Sequence, residues 1–487
     1  MRPIGGVAGR PSWSRRQFLQ AAGLGALTLG AAACGTSAGT ASAGKAAPGT
    51  RFRSRPDLNP PPVAVTTRST DLAPGLIFVT VGGPLILDND GRPVWYQTVK
   101  GKTATDLRVQ QYRGEPVLTW WEGTVSHTGH GSGEGVLADA TYSEITRVRA
   151  GGGLSADLHE LTVTPEGTAL ITIFSPHQAD LSAVGGPRRG TLLDSLLQEI
   201  DIATGQVLFE WRASDHVALT ESHAKPEAGV PFDFFHINSI NLDTDGNLLV
   251  SARNTWAVYK VDRRTGAVYW RLGGKKTDYA MGPATVFAWQ HDANRQDDGS
   301  ITLFDDEDAP RVGSQSRGLV LRLDDSAMTA RLDRQYRHPS PLLAGSQGSV
   351  EVLPGGNVFI GWGAEPYFSE FSADRRLLYD AHFAGKSQSY RAFRSPWVGR
   401  PPGRPALAVA RPSGSSLTAY ASWNGATEVA GWRLLTGPTA DGLQPGSSTP
   451  RSGFETAIPV SGPAAYVAVA ALDSTGSTLG VSATVRP

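Results

Sequence analysis

The 487-residue chain is poor in several features that mark common protein classes. Its only cysteine is Cys34, so the folded domains contain no intramolecular disulfide and depend on apolar cores for their stability. Acidic and basic residues balance to a net charge of zero, which argues against the basic surface that nucleic-acid binding requires. No complete Gly-x-x-x-x-Gly-Lys-Ser/Thr loop for a nucleotide phosphate is visible, and helical periodicity is scarce beyond the first 35 residues.

The N-terminal segment has the features of an export signal. Arg15 and Arg16 precede an apolar run over 21–33, which resembles the twin-arginine signals of proteins exported in the folded state. This run is too short and too rich in glycine for a membrane-spanning helix. Ala32-Ala33-Cys34-Gly35 resembles a lipoprotein cleavage box, although Ala31 stands where that pattern prefers leucine. We therefore predict a twin-arginine and lipoprotein-like signal over 1–34, with a plain signal peptide as the alternative.

This signal predicts the location of the protein and two of its partners. We expect the twin-arginine export machinery to be one partner. The cell membrane would be the second, through a lipid anchor on Cys34 that holds the protein on the extracytoplasmic face. Residues 35–62 are mostly Gly, Ser, Ala, Thr and Pro, a composition typical of a flexible linker.

Short apolar or alternating runs separated by Gly, Asn and Asp then predict strands joined by tight turns. A polar residue precedes each of five successive hairpins, at a similar distance from a turn glycine. The five pairs are Asp106 and Gly114, His159 and Gly167, His236 and Gly246, His291 and Gly299, and Gln347 and Gly355. The separation is ten residues for His236 and eight for the others. Second hairpins follow several of these, so the repeated unit is a four-stranded sheet.

Radial repetition of four-stranded sheets produces a β-propeller. We predict an all-β chain with a six-bladed β-propeller over 63–400 and a small β-sandwich over 404–487. The expected blades are roughly 71–100, 105–149, 157–212, 234–272, 287–337 and 346–397. Because the first strand of each blade lines the channel, the five aligned polar residues are expected to converge at one mouth.

Two kinds of chemistry are open for this pocket, which would gather three of the ten histidines. Neutral imidazoles bind metal ions, and the acidic run over 305–308 could add oxygen ligands. Arg253 and Asn238, in the same hairpin as His236, instead favour an oxyanion such as sulfate or phosphate. A guanidinium repels a cation and donates hydrogen bonds to an anion.

Two further polar clusters lie outside the aligned positions. The acidic run over 305–308 is interpreted as a solvated or calcium-binding loop. His127 and His130 lie in a glycine-rich loop of the second blade, which is interpreted as a mobile rim, with a catalytic or metal-binding role as the less favoured alternative.

An ordered set of motifs resembles those of the bacterial arylsulfate sulfotransferases. The motifs are Asp157-Leu-His159-Glu-Leu, Phe235-His236-Ile-Asn238-Ser-Ile, Ser251-Ala-Arg253, Trp270-Arg-Leu-Gly-Gly274, Gln290-His291-Asp-Ala and Leu353-Pro-Gly-Gly-Asn-Val-Phe-Ile-Gly-Trp-Gly363. The resemblance covers about residues 71–397. It implies a six-bladed propeller that moves a sulfuryl group from an aryl sulfate ester to a phenol, without a nucleotide donor or a cofactor. The chain lacks the cysteine pair of the well-described members, and their N-terminal dimerisation region is not evident.

The same resemblance implies roles for individual residues. His291 matches the histidine nucleophile that carries the sulfuryl group as a sulfohistidine. His236, Asn238 and Arg253 match residues that hold the sulfuryl oxygens and the phenolic oxygen, and His159 matches a further active-site histidine. The small-molecule partners would be an aryl sulfate and a phenol. Two other hypotheses remain: a propeller that binds an anionic or aromatic ligand without turnover, and a metal-dependent hydrolase or lyase that uses the three histidines.

The C-terminal residues predict a separate domain. Residues 400–411 are rich in Pro and Arg, which indicates a linker. About seven strands follow, and the order of Trp423, Trp432 and Tyr466-Val-Ala-Val-Ala-Ala resembles a fibronectin type III domain. No cluster of catalytic type is visible in it, so we expect it to pack against the propeller or attach to the cell wall.

Overall fold

The computed structural model describes residues 51–411 and 416–487. The predicted signal over 1–34, with Cys34, lies outside the described residues, as does the first part of the predicted linker. Regular structure in the described ranges is almost entirely β. One short helix, α1 (Ala213–His216), and two 3-10 turns, Ser182–Val184 and Leu219–Glu221, accompany the strands. None of the described helices is long and apolar enough to cross a membrane.

Six sheets follow one another along the chain as blades one to six. Blade one comprises β2 (Leu76–Thr80), β3 (Pro84–Leu87), β4 (Pro93–Tyr96) and β26 (Phe393–Ser395). Blade two comprises β5 (Thr103–Tyr112), β6 (Glu115–Val125), β7 (Gly131–Ala138) and β8 (Glu144–Val148). Blade three comprises β9 (Leu161–Val163), β10 (Thr168–Ala179), β11 (Gly190–Asp201) and β12 (Val207–Arg212).

The remaining blades have the same arrangement. Blade four comprises β13 (Ile237–Leu242), β14 (Leu248–Ala252), β15 (Ala257–Val261) and β16 (Val268–Gly273). Blade five comprises β17 (Ala280–Met281), β18 (His291–Arg295), β19 (Ile301–Asp305), β20 (Arg317–Asp324) and β21 (Thr329–Tyr336). Blade six comprises β1 (Val63–Arg68), β22 (Ser349–Val352), β23 (Val358–Gly361), β24 (Tyr367–Phe371) and β25 (Leu377–Phe383).

The innermost strands form a closed ring. The contacts run from β5 to β9, on to β13 by way of β10, and then through β18 and β22 to β26, which contacts β5 again. This ring is the predicted six-bladed propeller.

Both ends of the propeller chain take part in closing the ring. β26 pairs antiparallel with β2, so residues 393–395 form the innermost strand of blade one. Our prediction that they belong to blade six was wrong. β1 pairs antiparallel with β25 and becomes the outermost strand of blade six. Backbone groups at the two junctions are thereby paired, which removes exposed sheet edges there.

Apolar side chains fill the space between neighbouring blades. Between blades three and four, Leu170, Trp211, Phe235 and Tyr259 are among the fully buried residues of one core cluster. Burial of each such side chain contributes about 1.5–3 kcal/mol. Strands such as β14 are buried along their whole length because a neighbouring blade covers each face. Rigid packing of this kind holds the residues at the channel mouth in place.

The C-terminal domain is a sandwich of two antiparallel sheets, as predicted. One sheet contains β27 (Ala406–Ala410), β28 (Leu417–Ser422) and β31 (Glu455–Val460). The other contains β29 (Gly431–Gly437), β30 (Gln444–Pro450), β32 (Tyr466–Leu472) and β33 (Thr478–Val481). Ala419 and Ile458 of the first sheet and Trp432 and Val469 of the second share one buried core.

The sandwich packs against blades one and two. The Asn424 amide exchanges two hydrogen bonds of 3.0 Å with the backbone of Tyr96, and the Tyr142 hydroxyl donates to the Gly425 carbonyl at 2.7 Å. The Gly425 N–H donates to the Val94 carbonyl at 2.9 Å.

The residues that precede β1 pack against both domains. The ring centroids of Phe52 and Phe454 lie 4.2 Å apart, and the Ser54 hydroxyl lies 2.7 Å from that of Ser422. Phe52 and Leu58 are both buried in the core of blades one and six. The expectation of a flexible linker therefore does not hold for residues 51–62, because their apolar side chains are covered by the two domains.

Candidate active site

Three of the five polar positions aligned by sequence have an unusual backbone conformation. Asp106, His236 and Gln347 have φ values of 61°, 57° and 71°, and in blade five Asp292, which follows His291, has φ 57°. This left-handed region is rare for residues other than glycine and concentrates at functional sites. The strand register shifts at the same places in blades two, four and five. The innermost strands of blades two, four and five thus have a local kink near the aligned polar residue.

His291 is fully buried at the start of β18. Its Nδ1 lies 2.8 Å from Asp306 Oδ2, and its Nε2 accepts a hydrogen bond from the Gln347 backbone N–H at 3.2 Å. Since Nε2 accepts, these hydrogen bonds assign the ring proton to Nδ1. Burial, followed by the charge of Arg253, lowers the pKa of His291 well below its usual value. His291 is therefore a neutral imidazole with a lone pair on Nε2.

His236 and His159 are neighbours, with ring centroids 4.9 Å apart and nearly perpendicular planes. The Nδ1 of His236 contacts Asp233, and the Nδ1 of His159 contacts Asp157. Both Nε2 atoms are buried, and neither has a hydrogen-bond partner among the described residues. Burial lowers the pKa of His236 to about 4. Both Nε2 atoms can therefore contact a buried ligand.

His130 is a fourth histidine of this cluster. Its Nε2 lies 2.9 Å from Asp233 Oδ2, the oxygen that also contacts His236 Nδ1, and its Nδ1 lies 3.0 Å from the Thr128 hydroxyl. Burial opposes protonation, but the hydrogen bond and charge of Asp233 outweigh it and raise the pKa of His130. Sequence analysis favoured a rim position for His130, whereas the structure places it beside His236. His127 is exposed and lies outside the cluster.

Arg253 and Asn238 complete one side of the site. The Arg253 guanidinium donates to the carbonyls of Gly345 at 2.9 Å and Ala309 at 3.4 Å. The Asn238 amide nitrogen donates to the Gln290 carbonyl at 2.7 Å. Arg253 Nε and Asn238 Oδ1 are buried without a hydrogen-bond partner in the described part of the chain, and so are both amide atoms of Gln347. A buried ligand with acceptor and donor atoms would satisfy all of them.

Four of the five aligned residues lie in this cluster. Tyr390 lies between the pair His159 and His236 and the pair His291 and Gln347. Its ring centroid lies 5.6 Å from that of His159 and 6.4 Å from that of His291. Asp106 does not join the histidines. It forms a salt bridge of 3.1 Å with Arg391, which follows Tyr390 in the chain.

Arg391 joins several blades at the centre of the channel, and we call it the hub. It is fully buried and connects four blades, through Asp106 of blade two, Glu160 beside blade three, the Asn238 carbonyl of blade four and Asp292 of blade five. Burial opposes its charge, but the surrounding carboxylates raise the pKa of Arg391 well above its usual value. Sequence analysis did not identify Arg391 or Tyr390, because their position depends on the return of the chain to blade one.

The acidic run over 305–308 is not the solvated or calcium-binding loop that we expected. Asp305 and Asp306 are both fully buried. Asp305 accepts a hydrogen bond of 2.9 Å from Arg317 Nε, and Asp306 is the partner of His291. The sequence signal that could have revealed this is the position of the run at the end of β19, the strand paired with β18.

One group of described residues has the spacing of metal ligands. His130, Asp233 and His236 each offer an atom within 4.8 Å of the others. The same Asp233 oxygen already contacts both imidazoles. The Asp233 carboxylate therefore shares protons with the two imidazoles. The Arg253 guanidinium nearby favours an anion over a metal cation at this site.

The fold and the site together define a class of protein: six-bladed propellers with a buried, histidine-rich site at the channel mouth. The family model described as arylsulfotransferase (ASST) matches residues 108–384, and the chain belongs to this family. No curated protein matches the sequence.

Solved structures similar to this chain share little sequence with it. One is a protein of unknown function from Bacteroides caccae, with 15% identity, a TM-score of 0.41 and coverage of 66% of this chain and 100% of that one. A catalytically inactive virginiamycin B lyase from Staphylococcus aureus with quinupristin has 10% identity and a TM-score of 0.35, covering 74% and 96%. A putative 6-phosphogluconolactonase from Bacteroides fragilis has 10% identity and a TM-score of 0.38, covering 67% and 99%. These scores carry no argument about function.

Proposed function

We propose that the protein is an exported sulfotransferase that moves a sulfuryl group from an aryl sulfate ester to a phenolic acceptor through a sulfohistidine at His291. No nucleotide donor and no cofactor take part. The observation that carries the proposal is the neutral His291 imidazole, buried among hydrogen-bonding atoms that lack protein partners. Membership in the arylsulfotransferase family supports the reaction class.

In the first step, His291 Nε2 would attack sulfur in line with the ester oxygen. The N–S bond forms as the S–O bond breaks, and the electron pair leaves on the phenolate oxygen. The Gln347 N–H now occupies the lone pair of Nε2 and has to shift before the attack. Burial raises the pKa of Asp306 well above its usual value. The positive charge that develops on the His291 ring, 2.8 Å away, opposes this shift, and the ionised Asp306 would stabilise that charge.

Arg253 and Asn238 suit different parts of the substrate. The Arg253 Nε–H is a charged donor and suits a sulfuryl oxygen, where a preorganised donor contributes a few kcal/mol, roughly 3–4, to transition-state stabilisation. The unpartnered atom of Asn238 is Oδ1, which accepts hydrogen bonds and suits the hydroxyl of the acceptor phenol as it binds, before the proton passes to a base.

His236 would act as the general base. Asp233 contacts its Nδ1 and so leaves Nε2 to take the proton of the acceptor phenol, while the phenol oxygen attacks the sulfohistidine and releases His291. His130 acts as a positioning residue, because it holds Asp233 from the other side at 2.9 Å. His159, whose Nδ1 contacts Asp157, would protonate the leaving phenolate from Nε2 when its ring carries a second proton.

The test is release of nitrophenol from 4-nitrophenyl sulfate, with and without added phenol, by the wild type and His291→Ala. His177→Ala serves as the matched control, because His177 is exposed and outside the site. We expect phenol-dependent release in the wild type and the control, and none in His291→Ala. Release that is independent of phenol but sensitive to chelator would instead support a metal-dependent hydrolase. Binding of 4-nitrophenyl sulfate without release would support a binding protein.

The location is a separate part of the proposal. The twin-arginine motif at Arg15 and Arg16 and the cleavage box at Cys34 support export and lipid anchoring on the extracytoplasmic face. Fractionation of cells that express the wild type or Cys34→Ser tests it. We expect the wild type in the membrane fraction and the variant in the soluble exported fraction. Equal distribution of both would contradict lipidation.

A further inference from the structure

A row of aromatic rings extends from the protein surface to Arg253. The rings of His223 and Trp256 are parallel, with centroids 3.6 Å apart and planes 3° from each other. Trp256 meets Trp289 edge to face at 5.1 Å, and the Arg253 guanidinium carbon lies 4.8 Å from the centroid of the Trp289 ring. Trp289 is buried, whereas His223 and Trp256 are partly exposed. The row therefore joins solvent to the guanidinium that would hold the sulfuryl group.

The backbone holds both tryptophans in a strained conformation. Trp256 has φ 52° and Trp289 has φ 60°, values that bulky side chains rarely adopt. Trp289 is also fixed by a hydrogen bond of 2.9 Å from its indole N–H to the Pro310 carbonyl. Strain of this kind persists where the surrounding structure enforces it, most often at ligand sites.

The stacked pair carries two polar atoms that no described residue satisfies. Trp256 Nε1 and His223 Nε2 are both buried and have no hydrogen-bond partner there. A buried indole N–H normally has an acceptor. Burial, followed by the charge of Lys275, lowers the pKa of His223 to about 4, so the stacked imidazole is neutral.

The side chain of His223 can rotate without disturbing the backbone around it. It lies between the 3-10 turn over 219–221 and β13, outside any strand, and its backbone N–H is held by the Asn254 carbonyl at 2.7 Å. Its side chain can therefore rotate while this hydrogen bond stays. Some opening is required for turnover, because the side chains of His159 and His291 have no exposed surface.

We infer that the face of Trp256 now covered by His223 binds the aromatic ring of the aryl sulfate or phenol, and that His223 rotates away when this ring stacks. The inference rests on the proposed function. Trp289 separates Trp256 from the Arg253 guanidinium and contacts both, so a ring on Trp256 would bind at the outer end of the row that leads to Arg253. The imidazole thus keeps the aryl site covered in the absence of substrate.

Binding of 4-nitrophenol to the whole protein, followed by quenching of tryptophan fluorescence and by calorimetry, tests the inference without turnover. We expect Trp256→Ala to weaken binding by about three- to tenfold and Trp256→Phe to retain most of it, as loss of one stacking contact implies. His223→Ala should have the opposite effect and tighten binding, because no ring has to be displaced. Trp423→Phe, in the C-terminal sandwich, is the matched control.

Two outcomes would overturn the inference. One is wild-type affinity in Trp256→Ala with unchanged thermal unfolding, and the other is equal weakening by Trp256→Ala and His223→Ala, which would make the stack merely structural. Failure of the proposed function gives a different pattern. Binding would then depend on Trp256 as expected, while phenol-dependent transfer would be missing from the wild type.

Discussion

The backbone N–H of Gln347 donates a hydrogen bond to His291 Nε2 across 3.2 Å, from the start of blade six to the start of blade five. The contact assigns the imidazole proton to Nδ1, toward Asp306. It also occupies the lone pair that would attack sulfur. The resting site is therefore in the correct tautomer, and its nucleophilic atom accepts a hydrogen bond that has to break before the attack.

The tautomer of His291 can be tested through its carboxylate partner. Asp306→Asn should lower kcat for transfer from 4-nitrophenyl sulfate by about two to four orders of magnitude, because an amide does not stabilise the charge that develops on the ring. Asp297→Asn, at an exposed position close in sequence, should leave kcat unchanged. Activity of Asp306→Asn within a factor of two of the wild type would contradict this role.

Arg253 provides a test of anion binding. Arg253→Ala should reduce kcat/KM for 4-nitrophenyl sulfate by about two to three orders of magnitude, the usual effect of losing one preorganised donor. Arg253→Lys should recover only part of it, because an ammonium does not reproduce the planar guanidinium over Trp289. Steady-state kinetics measures both effects, with exposed Arg264→Ala as the control. A larger effect on a neutral ligand than on the sulfate ester would contradict it.

The pH dependence of transfer follows from His236. Its folded pKa is lowered to about 4 by burial, with Asp233 opposing the shift and His159 and His130 reinforcing it. The ring is thus neutral and able to accept a proton throughout the range above pH 5. We expect kcat to stay level as the pH falls from 7 to 5 and to decline as it approaches 4. A decline centred near pH 6.5, the usual value for histidine, would show that another group is the base.

The same shift has a consequence for stability. Because the folded pKa of His236 lies below the unfolded value, its contribution to stability is present above about pH 6.5 and is lost as the pH falls toward 4. His236→Asn should therefore flatten the dependence of the free energy of unfolding on pH in this window. Urea titrations at several pH values measure it, and parallel curves for the variant and the wild type would contradict the assignment.

Arg391 is expected to stabilise the ring and not to react. Arg391→Met removes a fully buried counter-ion of Asp106 and Glu160 and leaves Arg108 as their remaining arginine partner. Breaking such a buried ion pair costs about 3–5 kcal/mol of unfolding free energy. Denaturant unfolding measures the loss. Arg376→Ala removes an exposed ion pair with Asp71 and should change little. Equal stability of Arg391→Met and the wild type would show that the carboxylates are satisfied in another way.

Much of the architecture follows from local patterns. The separation between a polar residue and a turn glycine correctly predicted the starts of the innermost strands near His159, His236, His291 and Gln347, whereas Asp106 lies inside β5 and not before it. Alternation and turn residues correctly predicted the C-terminal sandwich. These signals are local, because a strand and its hairpin turn depend on neighbouring residues only.

The errors lie where distant segments meet. Residues 393–395 were assigned to the last blade but complete the first one. Asp306 was interpreted as part of a solvated or calcium-binding loop, because a run of acidic residues does not show that its strand ends beside His291. His130 was placed at the rim, because nothing in its loop indicates the contact with Asp233, which lies far away in sequence.

The sequence alone therefore determined the repeated hairpins, the six-bladed all-β architecture and the separate sandwich. It also predicted the site residues His159, His236, His291, Asn238 and Arg253, whose roles stay a prediction. Its twin-arginine and lipoprotein-like motifs also indicate export, which stays a prediction. Only the tertiary structure decided the carboxylate partner of each histidine, the hub at Arg391 and the aromatic row from His223 to Trp289. The physical reason is that turns and strand patterns are short-range, whereas pKa values, tautomers and ring stacking depend on which side chains the closed propeller brings together.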